Sequence, residues 1–408
     1  MTVAEREFPA IREHFPGLRR QHAGRQVCFF DGPGGTQIAA PALKAMNDYL
    51  CDHNANTHWI HPTSVETDAI VARTRELAGT FFNASGSTMV FGANMTTITF
   101  AVTNALRRSI LRGDEFVLSE LDHQANIDPW KRLANECGAT VKMVRLIPAT
   151  GQLDYDDLLR CVNERTRVIA IGAASNAIGT INDIPRVIAA AKSVRAYTYV
   201  DAVHYAPHEL VDVAVWDADF VVCSAYKFYG PHVGFLYGRT ELLEELDPPH
   251  LFPKRDSGAE RWESGTPNLE GIAGTGAAIE FLASLGQGET VREQLADTYR
   301  RAKAKSHRQV SYLLEQLGRY PKLHLFGPKS AEGRTSTISF TLDGWKSKDI
   351  AAKLVEHGIF ASHGDCFAST VAAKLGTPDG WLRLGCALYT SDEDVDRIAS
   401  AIGDVARA

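Results

Sequence analysis

The sequence predicts an α/β protein: a largely parallel seven-stranded sheet sandwiched by helices, followed by a smaller α+β C-terminal domain. Three observations carry this expectation. Between residues 88 and 237 short apolar runs alternate with longer amphipathic ones, the pattern of strands exchanging with helices that cover both faces of a sheet. After Gly276 the alternation stops, and a long charged helical stretch, 289–317, reads as a connector. Beyond it a shorter α+β pattern resumes. The 408 residues suffice for one large core and a second, smaller one. The expected division is an N-terminal segment, 1–30, packing on the small domain, a large domain, 31–275, and a small domain, 276–408.

In chain order, strands are expected at 88–91, 115–119, 141–146, 168–172, 196–201, 220–224 and 233–237, each an apolar run of strand length. Helices are expected between several of them, at 96–109, 128–137, 155–162 and 185–194. The last opens with Pro185, whose fixed φ suits a first helical turn. In the C-terminal part a strand is expected at 336–342 and a helix from Ser347 stopped by Gly358. A final helix opens at Ser391-Asp-Glu-Asp, with a capping residue and an acidic first turn.

Composition excludes several function classes. With 43 basic and 49 acidic residues, a net charge of −6 and no long single-sign run, neither nucleic acid nor a membrane surface is an expected partner. Met1-Thr-Val-Ala-Glu-Arg-Glu-Phe-Pro9 has neither a basic nor an apolar leader segment, and no later stretch is long and uncharged enough to span a bilayer. The expected compartment is the cytoplasm. The seven cysteines lack CxxC spacing, which argues against a disulfide framework and against a zinc site; no metal is expected. Cys28, Cys223 and Cys386 sit in apolar runs and read as buried thiols. Cys366 lies instead in the polar stretch Ala361-Ser-His-Gly-Asp-Cys-Phe-Ala368.

In a doubly wound sheet, ligands sit at the carboxyl ends of the strands, so residues just after strands carry extra weight. Lys227, in Cys223-Ser-Ala-Tyr-Lys-Phe-Tyr-Gly-Pro-His-Val-Gly234, is boxed in by aromatic and small residues. Lost hydration favours its neutral amine and makes it a candidate Schiff-base nucleophile. Asp201 ends the preceding strand, where a pyridine-type ligand would need a carboxylate. Gly92-Ala-Asn-Met-Thr-Thr97 leads from a strand into a helix and could cradle a phosphate. His123 could stack on an aromatic ligand, and Asn176 could donate to a phenolate. Taken singly, each residue has a commoner structural role as a surface charge, cap or turn former.

Together the residues resemble a known family. Asp122-His-Gln-Ala-Asn-Ile-Asp-Pro-Trp130, Ser175-Asn-Ala-Ile-Gly-Thr180, Ser224-Ala-Tyr-Lys-Phe-Tyr-Gly-Pro231 and Arg261-Trp-Glu-Ser-Gly-Thr-Pro-Asn268 follow in order. Over about residues 30–398 the chain resembles class V aminotransferases of pyridoxal-phosphate fold type I, and among them the cysteine desulfurase and selenocysteine lyase branch. The resemblance implies pyridoxal 5'-phosphate as cofactor, with Lys227 as its catalytic Schiff-base lysine and Asp201 as partner of the ring nitrogen. It implies His123 on the ring face and Asn176 with His204 on the ring hydroxyl. The phosphate falls to the turn carrying Ala93, Asn94 and Thr96, and to Ser224, with Tyr226 nearby. Thr266 would reach in from a second subunit, which implies a homodimer with active sites at the interface. Arg383 matches the arginine that pairs with the substrate α-carboxylate, a task suited to a guanidinium fork. Cys366 falls where the desulfurases carry the cysteine that becomes a persulfide.

Four features depart from that pattern. The cysteine loop lacks its usual arginine and places Asp365 beside the thiol, which raises the thiol pKa. His204 stands where desulfurases have Gln, Tyr226 where they have His, and His58 where an active-site Arg is expected near the N-terminal lobe. The chain is thus similar to a divergent desulfurase-like subgroup. The implied reaction begins with an external aldimine of an amino acid and loss of its Cα proton, and leads to a C–S lyase or sulfurtransferase with a sulfur-acceptor protein as partner. The same first steps also serve a class V aminotransferase or an amino-acid epimerase of specialised metabolism. A non-catalytic fold-type-I scaffold is a third class, at odds with the presence of both Lys227 and Asp201.

Overall fold

Alternating side chains make the large sheet a two-sided core. The computed structural model describes Phe8 and residues 10–251 and 258–407. Its main sheet is built from β1 (Met89–Gly92), β2 (Glu115–Ser119), β3 (Thr140–Val144), β4 (Thr166–Gly172), β5 (Tyr197–Asp201), β6 (Phe220–Ser224) and β7 (Gly234–Gly238). All seven expected strands form, each within two residues of its expected bounds. Their spatial order is β1-β7-β6-β5-β4-β2-β3, with only β7 running antiparallel to its neighbours. Val221 and Cys223 of β6 enter one core with Phe81, Phe228 and Phe235, while Phe220 and Val222 enter the opposite core with Trp130, Tyr199 and Trp262. Burial on both faces is why these strands read as continuous apolar runs.

The expected helices appear as Met95–Leu106, Asp128–Cys137, Tyr155–Cys161 and Ile184–Ser193. Two long helices, Pro62–Phe82 and Leu269–Ser284, escaped the sequence reading. The first buries polar residues such as Ser64, Thr67, Thr74 and Arg75, so its apolar period is weak. The second is packed almost all round and lacks a polar stripe. The boundary expected at 275/276 falls inside this second helix. The connector is the helix Val291–Leu317, opened by a reciprocal Thr290/Glu293 cap.

A second, antiparallel sheet follows: β8 (Leu323–Phe326), β9 (Thr337–Leu342), β10 (Ser362–Gly364) and β11 (Trp381–Gly385), in the order β8-β9-β11-β10. Helices Ser347–Glu356 and Asp392–Arg407 pack on it through Ile350, Leu354, Ile398 and Ile402. The N-terminal segment divides between the sheets. Cys28–Phe29 pairs in parallel with Ile359–Phe360, and Cys28 and Phe30 join the second core. Phe15 instead packs against Phe281, Tyr229 and Tyr389 beside the first. Residues 1–7 and 9 of the expected segment lie outside the described residues. Among the described residues no helix is long and apolar enough to cross a membrane.

Candidate active site

The carboxyl ends of β1, β2, β4, β5 and β6 meet at one cavity. It is lined by Asn94, Thr96, Asp122, His123, Asn176, Asp201, His204, Ser224, Tyr226 and Lys227. Residues separated by more than a hundred positions converge there because each follows a strand of the same sheet.

Lys227 ends the short turn Ala225–Lys227 after β6 and is 8% exposed. Its Nζ donates to the backbone carbonyls of Pro33 and Gly34, the latter at 3.2 Å, and lies 5.2 Å from the centre of the Tyr226 ring. Burial, reinforced by the positive Arg383, brings its pKa down to about 7, against the opposing pull of Asp201. The amine is therefore substantially neutral near physiological pH. Asp201, at the end of β5, accepts the Val203 N–H at 2.9 Å, and burial pushes its pKa up to about 6. His123 is pulled down to about 4 by burial and by Lys227 and Arg383, so it presents an uncharged ring.

Two buried polar atoms in this cavity have no partner. Asn176 donates from Nδ2 to the Cys366 carbonyl at 2.9 Å and leaves Oδ1 free. His204 engages the Thr337 hydroxyl through Nε2 at 2.8 Å and leaves Nδ1 free. Unpaired buried polar atoms cost about 1–3 kcal/mol each, so they mark where a ligand would bond. At the other end of the cavity Asn94 caps the helix Met95–Leu106, and Ser224 Oγ accepts the Met95 N–H at 3.0 Å. The positive end of this helix, with Thr96 and the Ser224 hydroxyl at the cavity, suits an anion. A planar, phosphorylated aromatic group would satisfy both ends.

Arg383, on β11, is almost fully buried. It donates to the Asn176 carbonyl at 2.8 Å and to Ser362 Oγ at 3.4 Å, and its Nε is unpaired. No carboxylate pairs with it among the described residues; Asp31, pushed up to about 6 by burial, acts on it through space. A desolvated guanidinium without a carboxylate partner is suited to receiving one from a ligand.

Cys366 sits beside this cluster, in the turn between β10 and the helix Ser369–Leu375. Both Cys366 and Phe367 adopt the left-handed region, with φ of 54° and 56°, at roughly 1–2 kcal/mol per residue. The turn is held by Asn176 at the Cys366 carbonyl and by the Gln124 N–H at the Phe367 carbonyl. The thiol pKa is raised, mainly by burial and secondarily by Asp365, while Arg383 and Lys227 pull it down. The aspartate acts in the expected direction, but burial is the larger cause.

Three expected site residues do not line this cavity in their own chain, and of these Thr266 is the one expected to reach it from a second subunit. His58 and Thr266 line an open cleft of about 950 Å³, and Ala93 shares an adjoining groove with Thr266. In that cleft Asp68 binds both the His58 ring, at 3.3 Å, and its backbone N–H. Thr266 follows the Arg75–Glu263 ion pair, which anchors its segment on the far side of β1. Ala93 stands before the helix cap, and its side chain faces that groove rather than the Lys227 cavity.

The sequence reading missed Asp122 and the loop 31–36. Asp122 accepts from the Gly172 N–H and from Asn126, and burial pushes its pKa up to about 8, with Asp201 adding to the rise. In the loop, a Cβ on Gly35 would lie 3.1 Å from the Tyr226 ring, so glycine permits the close approach that brings carbonyls to Lys227. The run Gly32-Pro-Gly-Gly35 was a visible turn signal.

Known proteins share this fold. The family profile described as aminotransferase class-V matches residues 28–398. A cysteine desulfurase from Salmonella agona is 32% identical, with 98% of this chain and 99% of that protein covered. A probable cysteine desulfurase from Streptomyces coelicolor is 31% identical over 97% of this chain and 96% of its own. Among solved structures, the apo cysteine desulfurase from Thermococcus onnurineus gives a TM-score of 0.88 at 26% identity, covering 98% of both chains. That of Escherichia coli in its S-sulfonic acid form gives 0.84 at 28% identity, covering 97% of each. A match that begins in the strand beside the second sheet and runs into the last helix takes in every strand end that lines the cavity, and the chain belongs to the class-V aminotransferase family.

Proposed function

We propose that this protein is a pyridoxal-phosphate-dependent enzyme that removes sulfur from an amino acid, a C–S lyase or sulfurtransferase of the cysteine desulfurase type. The observation that carries the reading is a buried lysine with a pKa near 7 sharing its cavity with buried Asp201 and lying near the unpaired guanidinium of Arg383. The cofactor is supported by three complementary features. The unpaired His204 Nδ1 matches a ring oxygen, from whose hydroxyl form Asn176 Oδ1 can accept, Asp201 matches a ring nitrogen, and the capped helix terminus with Ser224 matches a phosphate. The relatives named as cysteine desulfurases support sulfur as the leaving atom.

When bound, the cofactor supplies an acceptor for the electron pair left on the substrate Cα. Lys227 Nζ, neutral above about pH 7, takes the Cα proton. Asp201 would hold a proton at the ring nitrogen, the uncharged His123 would lie against the ring, and Arg383 would bind the α-carboxylate. Cys366 Sγ attacks the substrate sulfur as the Cβ–S bond breaks; the electron pair of that bond stays with the substrate carbons, whose Cβ takes a proton to become the methyl group of alanine, and the sulfur left on Cys366 as a persulfide passes to a thiol or a sulfur-acceptor protein. With L-cysteine as substrate and a thiol as reductant, the enzyme is expected to release alanine and sulfide in equal amounts. Cys366→Ala is expected to lower both at least about a hundredfold, within the range set by loss of a covalent nucleophile. Unchanged sulfide release in that variant would remove Cys366 from the mechanism. The raised thiol pKa and the strained turn favour a second reading, an aminotransferase or epimerase in which Cys366 lines the pocket. Its products, a keto acid or an inverted amino acid, are read in the same assay.

The active form is proposed to be a homodimer that places His58 and Thr266 of one copy at the cavity of the other. Exposed Trp59, Ile60 and Leu251 beside the cleft that holds both residues support this. Ile60→Glu is expected to shift the sedimentation coefficient from dimer to monomer and to lower activity. A reducing, cytoplasmic compartment goes with the seven free cysteines.

A further inference from the structure

His204 and Asn176 both reach the cavity, and both are held by one strand of the second sheet. The segment 333–339 is laced to the turn that carries Asn176. Gly333 accepts from the Ile181 N–H at 2.9 Å, the Thr335 N–H donates to the Gly179 carbonyl at 2.8 Å, and Ser339 Oγ donates to the Ala177 carbonyl. The same segment supplies two hydroxyls to His204 Nε2: Thr337 at 2.8 Å and Thr335 at 3.3 Å. Thr337 is fully buried, and His204 Nε2 is the partner of its hydroxyl among the described residues.

The groups facing His204 keep its imidazole neutral. They are His208 on its own turn, Lys227 after β6, Arg383 on β11 and His123 after β2. Burial is the largest cause pressing the imidazole pKa well below its usual value, and the basic groups around it act in the same direction. A neutral imidazole has one donor and one acceptor nitrogen, so the role taken by Nε2 dictates the role left to Nδ1. If Nε2 donated to Thr337, the buried hydroxyl hydrogen would itself lack an acceptor. With the Thr337 hydroxyl, the nearer of the two, donating to Nε2, the proton lies on Nδ1, where a ring oxygen in the cavity accepts it.

We propose that Thr337 is a positioning residue that fixes the His204 tautomer, so that Nδ1–H donates to the ring-hydroxyl oxygen of the cofactor. The second sheet thereby tunes a group bound at the first. The glutamine that related desulfurases carry here needs no such partner, because an amide has no tautomer to choose. This inference rests on the cofactor reading above.

Two measurements test it, one on loaded enzyme and one on apoprotein. The first compares the pH midpoint of the cofactor's visible absorbance in the wild type, Thr337→Val and Thr337→Ser. Loss of the donated hydrogen bond destabilises the ring-oxygen anion, so Thr337→Val should raise the midpoint by about one pH unit, tenfold in proton affinity, with Thr337→Ser restoring it. In a His204→Gln background the Thr337→Val effect should vanish. The second reads the His204 tautomer by nitrogen NMR of histidine-labelled apoprotein, with His204→Gln assigning the signal. The expected result is a proton on Nδ1 in the wild type and in Thr337→Ser, and its redistribution in Thr337→Val. A folded Thr337→Val protein with wild-type midpoint and tautomer overturns the proposal. If Thr337→Val does not fold, an Nε2 proton in the wild type or in Thr337→Ser overturns it as well. A wild type that takes up no pyridoxal phosphate, yet shows the expected tautomers, leaves the role of Thr337 standing and sinks the cofactor reading instead.

Discussion

Lys227→Ala is expected to abolish turnover, lowering product formation by at least about a thousandfold, because it removes both the covalent anchor and the base for the Cα proton. The purified variant should also lose the visible absorbance that the wild type gains with pyridoxal phosphate. Its fold should survive. A lysine whose pKa falls from 10.5 to about 7 on folding binds its proton less tightly in the native state than in the unfolded chain. The wild-type apoprotein therefore carries a penalty that is full below about pH 7 and fades as the pH rises towards 10.5. Removing the amine lifts that penalty, so the variant's thermal midpoint should gain on the wild type most at low pH and least near pH 10.5. The same pKa sets the rate at which wild-type apoprotein captures the cofactor. Only the neutral amine is nucleophilic, so the rate should rise about tenfold per pH unit up to about 7 and then level off. Full activity in Lys227→Ala would end the central assignment.

Arg383→Lys should lower kcat/KM for the amino-acid substrate by roughly 30–150-fold, about 2–3 kcal/mol, chiefly through KM. The native guanidinium rests on the Asn176 carbonyl and Ser362 and has an unpaired buried Nε. An ammonium is a point charge and cannot keep those contacts while gripping a carboxylate with a planar fork. In Arg383→Ala, added guanidinium ion should recover part of the lost activity. An unchanged KM in Arg383→Lys would place the substrate carboxylate elsewhere.

The parts of this protein that were readable from its residues share one property. The strands β2 and β6 are buried at every position, so each appears as an uninterrupted apolar run. Residues just after strand ends, such as His123, Asn176, Asp201 and Lys227, could be nominated because a parallel sheet delivers those ends to one edge. The helix Pro62–Phe82 was missed because its inner face carries threonines and an arginine, and β10 because Ser-His-Gly has no alternation.

Local patterning was therefore enough for the fold class and for the residue types at the cavity. It could not say which atoms would be free to act. That the Lys227 amine is near neutral depends on burial and on Arg383, more than a hundred residues away. That His204 offers Nδ1 depends on Thr337, and that Asn176 holds the Cys366 turn depends on where that turn folds back. His58 and Thr266 line a cleft apart from the Lys227 cavity of their own chain, a separation that no local pattern shows: a residue type suggests a chemistry, but desolvation and hydrogen-bond pairing are sums over neighbours that only the folded chain brings together.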